Sequence, residues 1–329
     1  MMVSSDKADF VWMDGKVVPW SAATIHVSSE AVLRGGSIFE GVRAYWNDEE
    51  EELFIFKNAE HLRRLRRSAK ILRLSIPFSD EELARGFIDL LRALNYRTGA
   101  HFRPVVYFDE GEPYGWKPED ITTRVFVLAF KSPHAASIET GIRSCISTWR
   151  RNADNASPSR LKASANYHNS RLANVEAKLN GFGTPIMLNE RGEIAESPGS
   201  CFMMVRDGAV ITPPVTADIL ESITRATLIE LFREALGVTV IERDIDRTEA
   251  YVADEAFFCG SGHEVQPIIS IDHYAVGDGK VGPLTRKIQL LYFNIAMGKV
   301  AKYRTWLTPV YGKAQRHKAT RKAEAQPAK

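Results

Sequence analysis

Two Asp-Gly dipeptides set between apolar runs constrain this chain more than any other feature. Asp14-Gly15 lies in FVWMDGKVV and Asp207-Gly208 in CFMMVRDGAVITPP, each between apolar runs. Both residue types tolerate the left-handed backbone of a two-residue turn, so each dipeptide predicts an antiparallel hairpin. Helical signals are interleaved with them. AEHLRRLRRSAKILRL carries Leu62, Leu65, Ala69 and Leu72 on one face, and a second helix opens at Ser79, where Glu82 completes a capping box. LFIF, HFRPVVYF, RVFVLAF and IRSCISTW read as strands. Beyond these come a helix from near Asn166 to Gly181, a hairpin over IMLNERGEIAES and a helix from about Ser222 to Gly237. Strands over VTVIERDI, AFFCGSG and VQPIISI follow, then a closing helix over PLTRKIQLLYFNIAMG.

This order predicts a mixed α+β fold. No GxGxxG follows a strand and the alternation lacks βαβαβ regularity, which excludes a doubly wound dinucleotide-binding sheet. At 329 residues the chain has room for two cores. The polar, turn-rich RRNADNASPSR at 150–160 is the expected linker between a small N-terminal domain, 1–149, and a larger one, 161–311.

Charge separates body from tail. The formal net charge is +2, yet 312–329 holds six Lys or Arg against Glu324 alone, which leaves the remainder at −3. That end has no apolar period and reads as a disordered tail. The body has no basic stripe for nucleic acid, and no run approaches the roughly 18 apolar residues of a membrane span. Cys145, Cys201 and Cys259 are scattered without metal-ligand spacing. Together with a polar start lacking a signal stretch, they point to a cytoplasmic protein.

Several residues could carry chemistry, though each also has an ordinary explanation. Lys162, in LKASANY, has small neighbours and lies just past the linker, where a cleft would form. A Schiff-base lysine needs such room, while a solvated loop lysine fits the local sequence equally well. Arg64 in HLRRLRR is off the apolar stripe and offers a fork suited to phosphate, or it faces solvent. Ser222, Ile223 and Thr224 open a helix, either as an anion site or as a plain cap. Glu196 in GEIAESPG is a turn acid or a ligand contact, and Ser261 and Gly262 lie at a strand end.

Taken jointly, SIFEGVRAY, EHLRRLRRSAK, FRP, KASANY, GEIAESPG, ITRATLIEL, ADEAFFCGSGHEVQPI and VGPLTRKIQ occur in the order of one family. The chain resembles the fold-type IV pyridoxal-phosphate enzymes, and within them the branched-chain amino-acid aminotransferases, from about Ala8 to Gly298. The resemblance implies a small α/β domain and a larger, β-barrel-like α/β domain. It also implies transamination between a branched-chain or other hydrophobic L-amino acid and a 2-oxo acid such as 2-oxoglutarate, usually in a homodimer or larger assembly. Lys162 then holds pyridoxal 5′-phosphate as a Schiff base and shuttles the proton. Glu196 faces the ring nitrogen, Tyr167 the phenolic oxygen and Leu220 the ring face. Arg64, Ile223, Thr224 and Ser261 hold the phosphate. Phe39, Gly41 and Trp149 match pocket walls, Arg103 matches the receiver of a distal carboxylate, and Gly262 lies on the substrate side.

Departures from the family pattern fall on that side. His101 and Arg34 stand where tyrosines are usual, Ser200 and Cys201 where Glu and Asn are common, and Glu221-Ser222 replaces Pro-Gly. They leave open an (R)-amine or D-amino-acid transaminase, an aminodeoxychorismate lyase, or a non-catalytic relative. The loop holding Tyr114 and Trp116 is a candidate subunit contact.

Overall fold

The computed structural model describes residues 7–111, 117 and 121–312; Tyr114, Trp116 and the tail from Lys313 lie outside the described residues. The strands form two sheets. The first holds β1 (Phe10–Met13), β2 (Lys16–Pro19), β3 (Ser37–Phe39), β4 (Val42–Asn47), β5 (Glu52–Phe56), β6 (Ala100–Gly111) and β7 (Ile121–Lys131). The second holds β8 (Ile142–Ser144), β9 (Cys201–Arg206), β10 (Ala209–Thr212), β11 (Val240–Glu242), β12 (Glu255–Gly260), β13 (Glu264–Ile271) and β14 (Tyr274–Ala275). A final strand, β15 (Leu307–Pro309), returns to the first sheet beside β5. The helices are α1 (Glu30–Arg34), α2 (Asn58–Leu72), α3 (Asp80–Leu94), α4 (Ser137–Thr140), α5 (Tyr167–Leu179), α6 (Ile223–Glu234) and α7 (Pro283–Ala296).

Both Asp-Gly hairpins form. Asp14 and Gly15 have φ of 45° and 90°, and Asp207 and Gly208 have 51° and 77°. Positive φ at both turn residues matches the right-handed twist of the paired strands. The capping box is also present: Ser79 Oγ accepts from Glu82 N at 3.2 Å, and Glu82 Oε2 accepts from Ser79 N at 2.8 Å. The fold is mixed α/β, and the paths of the two sheets do not close into a barrel. One parallel crossover, β10–α6–β11, sits within the otherwise largely antiparallel second sheet.

The strand expected over IRSCISTW shortens. IRSCISTW stops pairing regularly after Ser144 because side chains capture the next amides: Ile146 N donates to Asp272 Oδ1 at 2.9 Å and Thr148 N to Glu176 Oε2 at 3.1 Å. IMLNERGEIAES forms its hairpin without a regular ladder, through the Leu188–Ile194 bridge and through Met187, whose N–H donates to the Glu196 carbonyl at 2.9 Å and whose carbonyl accepts from Ala195 N at 3.0 Å. The 150–160 stretch has no helix or strand.

β5 couples the two halves. Its five residues are all buried: Leu53 and Ile55 join the core under α2 and α3, whereas Phe54 and Phe56 join the core of the second sheet with α6 and α7. Period-two alternation between two cores explains why LFIF is apolar throughout. The loops from both sheets therefore converge along one seam.

Packing of α3 on β1 depends on Gly86, where a Cβ would fall 2.5 Å from Cε2 of the buried Trp12 ring. Alanine raises helix propensity by about 1 kcal/mol, but overpacking a closed core costs about 1–3 kcal/mol. Gly86→Ala should therefore lower stability in urea unfolding. A gain in stability would show that Trp12 can move aside.

Candidate active site

Lys162 is pinned by its backbone before its side chain acts. Its N–H donates to Ser68 Oγ on α2 at 3.3 Å, and its carbonyl accepts from Phe39 N at the end of β3 at 3.0 Å. The small residues after it allow a tight 3-10 turn, Ser164–Asn166, that leads straight into α5. That turn brings Tyr167 back over Lys162, so the buried Nζ donates to Tyr167 Oη at 2.7 Å. Phe39 forms a wall: its ring centroid is 4.9 Å from Lys162 Nζ, 4.9 Å from the Tyr167 ring and 4.5 Å from Arg103 Cζ.

Arg64 does not face solvent. It is buried on α2, with Nε and Nη2 donating to Glu40 at 2.8 and 2.7 Å and Nη1 donating to the Glu221 carbonyl at 3.0 Å. His61, one turn earlier, contacts Glu40 Oε2 through Nδ1 at 2.7 Å. Burial alone would raise the Glu40 carboxyl, but the charge and hydrogen bonds of Arg64 and the His61 contact together pull it down to about 2. Burial lowers His61, so its imidazole is neutral and Nδ1–H is the donor to the ionised carboxylate. Glu40 thereby fixes the direction in which Arg64 points.

The opposite wall comes from the second sheet. Glu196 is buried, its Oε1 accepting from Leu220 N at 3.2 Å and ion-paired with Arg151 Nη2 at 2.7 Å. Oε2 has the Cys201 thiol at 3.7 Å. Burial raises the Glu196 carboxyl, and Arg151 is the largest opposing influence. Beside Leu220, Ser222 caps α6 by accepting from Arg225 N at 3.2 Å. The N–H groups of Ile223 and Thr224 in the first turn have no acceptors within the helix and form the positive end of its dipole. Ser261 and Gly262 occupy the turn joining β12 to β13, and nothing lies within 4 Å of a Cβ built at Gly262. Ser200 supports that turn, its Cβ 3.2 Å from one built at Gly260, and is itself held by Ser197 Oγ at 2.9 Å.

His101 and Arg103 share one face of β6 by their two-residue spacing. His101 is buried and faces Gly41, where a Cβ would fall 3.1 Å from Nε2. Burial first, then the charge of Arg103, takes its pKa down to about 3, so it is neutral. His101 Nδ1 and Arg103 Nε are buried without hydrogen-bond partners. Arg34 and Trp149 stand apart at the surface. Arg34 is exposed on α1 and ion-paired to Glu30, and Trp149 is 44% exposed.

Glu40, His61 and Arg151 are the members that sequence reasoning missed. An acid inside the apolar SIFEGVRAY run was a usable signal for Glu40. Arg151 gave none, since it lies in a stretch that reads as solvated linker. The donor set fits pyridoxal phosphate: a buried amine, a buried carboxylate with one oxygen free of charged partners, and an arginine beside a helix N-terminus.

Comparison with known proteins agrees. The family model described as Amino-transferase class IV matches residues 37–271. The "Probable branched-chain-amino-acid aminotransferase" of Aquifex aeolicus is 40% identical over 312 residues, covering 95% of this chain and 100% of that protein. The branched-chain-amino-acid aminotransferase of Salmonella typhimurium is 37% identical, covering 94% and 99% respectively. The crystal structure of the branched-chain amino acid aminotransferase from Thermobaculum terrenum in its PLP form superposes with a TM-score of 0.86. It is 40% identical and covers 92% of this chain and 99% of that one.

The Glu40 pair carries a signed pH prediction. Because its folded-state carboxyl lies near 2, its contribution is complete above the ordinary carboxylate range and is lost as pH falls towards 2. Glu40→Gln should cost about 3–5 kcal/mol at neutral pH by leaving Arg64 incompletely paired. It should also flatten the loss of stability on acidification in urea titrations. An unchanged acid slope would remove Glu40 from this role.

Proposed function

The chain belongs to the amino-transferase class IV family and is a pyridoxal-phosphate-dependent aminotransferase, and from that premise we propose that it exchanges amino groups between branched-chain L-amino acids and a 2-oxo acid such as 2-oxoglutarate. The observation that carries this reading is Lys162 Nζ, buried and 2.7 Å from Tyr167 Oη against the Phe39 ring.

Bound pyridoxal phosphate supplies an electron sink for the pair released at the substrate Cα. Lys162 is the attachment point, and its amine moves the proton of that carbon. Tyr167 orients the amine and stands ready for the phenolic oxygen. Glu196 holds a proton at the ring nitrogen, and Leu220 supports the ring face. Arg64, the N–H groups of Ile223 and Thr224, the Thr224 hydroxyl and Ser261 bind phosphate.

Phe39, Gly41 and neutral His101 make an uncharged wall for an aliphatic side chain. Arg103, with Nε unpartnered, receives the distal carboxylate when a dicarboxylic substrate takes its turn. The charge of Arg34 is shared with Glu30 at the surface, which speaks against an acidic pocket there.

No helix among the described residues is long and apolar enough to cross a membrane. Three unpaired buried cysteines accord with the cytoplasm. A homodimer would cover Val32 and Leu33, 57% and 60% exposed beside Arg34, together with Trp149. Division into 1–149, a 150–160 linker and 161–311 accords with the two sheets, although β8 and β15 each pair across it.

Purified protein should be yellow, and Lys162→Ala should lower transamination by at least about a thousandfold while leaving the fold intact by circular dichroism. Leucine, isoleucine and valine should be donors to 2-oxoglutarate. Turnover of (R)-1-phenylethylamine or D-alanine with none of these three would overturn the substrate assignment.

A further inference from the structure

Arg151 is the least expected member of the site, since it lies in the turn-rich 150–160 stretch and yet is 7% exposed. Its amide donates to the Leu188 carbonyl at 2.8 Å, which ties that stretch to the segment leading to Glu196. Its Nη2 stands 2.7 Å from Glu196 Oε1 and also donates to Ser159 Oγ at 3.2 Å. The cation and the one amide donor on Glu196 thus both meet Oε1, where Leu220 N joins at 3.2 Å. Oε2 meets only a thiol at 3.7 Å and is the acceptor left over.

We propose that Arg151 is a positioning residue: it keeps the buried Glu196 ionised and turns Oε2 towards the cofactor's ring nitrogen. The proposal rests on the transaminase reading, which assigns Glu196 to that nitrogen. A carboxyl removed from water takes up a proton unless a cation faces it. Burial does push Glu196 upward, and Arg151 opposes it most, ahead of the Leu220 amide, Lys162 and the Cys201 thiol. Without Arg151, the amide and the thiol are the remaining neutral donors on it. A neutral Glu196 cannot hold the ring nitrogen protonated, so weakening must be greatest at low pH, where the freed carboxyl is protonated, and must fade as pH rises.

The test measures pyridoxal-phosphate affinity of the apoenzyme by fluorescence quenching, and the visible spectrum of the holoenzyme, from about pH 6 to about pH 9. Arg151→Met should bind at least roughly tenfold more weakly than wild type at the acid end and approach wild type at the alkaline end. Arg151→Lys should restore much of the acid-end affinity. In a Glu196→Gln background, Arg151→Met should add no pH dependence. A purely structural brace would weaken binding by one factor at every pH, and that result, or failure of lysine to rescue, overturns the proposal. Should the methionine variant melt, Arg151→Gln keeps a polar side chain there without the charge and is read the same way. Wild type that binds no pyridoxal phosphate would instead overturn the transaminase reading.

Discussion

Arg64 can serve the seam between the two sheets only because Glu40 holds it there. The carboxylate sits at the end of β3, with its backbone N–H bound to the Pro104 carbonyl at 2.9 Å. It takes two bonds from Arg64 and one contact from His61, and Arg64 spends its remaining arm on the carbonyl of Glu221. One buried charge pair thus joins α2, the first sheet and the loop that launches α6. A long side chain off a helix has many rotamers, and here the fork geometry of guanidinium on carboxylate leaves one.

The same device recurs around the seam. Arg151 faces Glu196, and Arg43 on β4 faces Glu264 at 3.1 Å on the first residue of β13. Buried pairs of this sort are poor sources of net stability, because desolvation offsets most of the attraction. Their contribution is geometric, since each fixes a long side chain against a partner of known direction. Stability comes instead from the apolar cores that meet on β5, where alternate residues face α2 and α3 on one side and α6 and α7 on the other. Burial holds the halves together, and charge sets their register.

What could be read in the sequence was local. Asp14-Gly15, Asp207-Gly208 and the Ser79–Glu82 box involve neighbours in the chain, so their physics is present in a few letters. KASANY belongs here too, because small residues after Lys162 permit the turn that brings Tyr167 back. The letters around Arg64 left phosphate and solvent both open, because the partner that directs it is 24 residues upstream at a strand end. Arg151 read as linker for the same reason. IRSCISTW read as one strand because Asp272 and Glu176, which take its amides, come from distant segments. Propensity gives each residue a preference, and a buried carboxylate from elsewhere overrides it.

That distinction bears on the substitutions that set this chain apart from its family pattern. Arg34 and His101 both look like added cations in a pocket that should be apolar. In the fold they behave differently from one another. Arg34 ends α1 at the surface with Glu30 one turn away, so its charge is met by an acid rather than presented to a ligand. His101 is buried, and loss of water together with the nearby charge of Arg103 keeps its ring neutral. Near Phe39, Arg103 then has a neutral neighbour on β6, as the proposed alternation of an aliphatic side chain and a distal carboxylate requires. A charged residue at position 101 would bias it towards acids, whereas a neutral imidazole can donate or accept without that bias. The letters changed at the two tyrosine positions, and the charge facing the Phe39 wall did not.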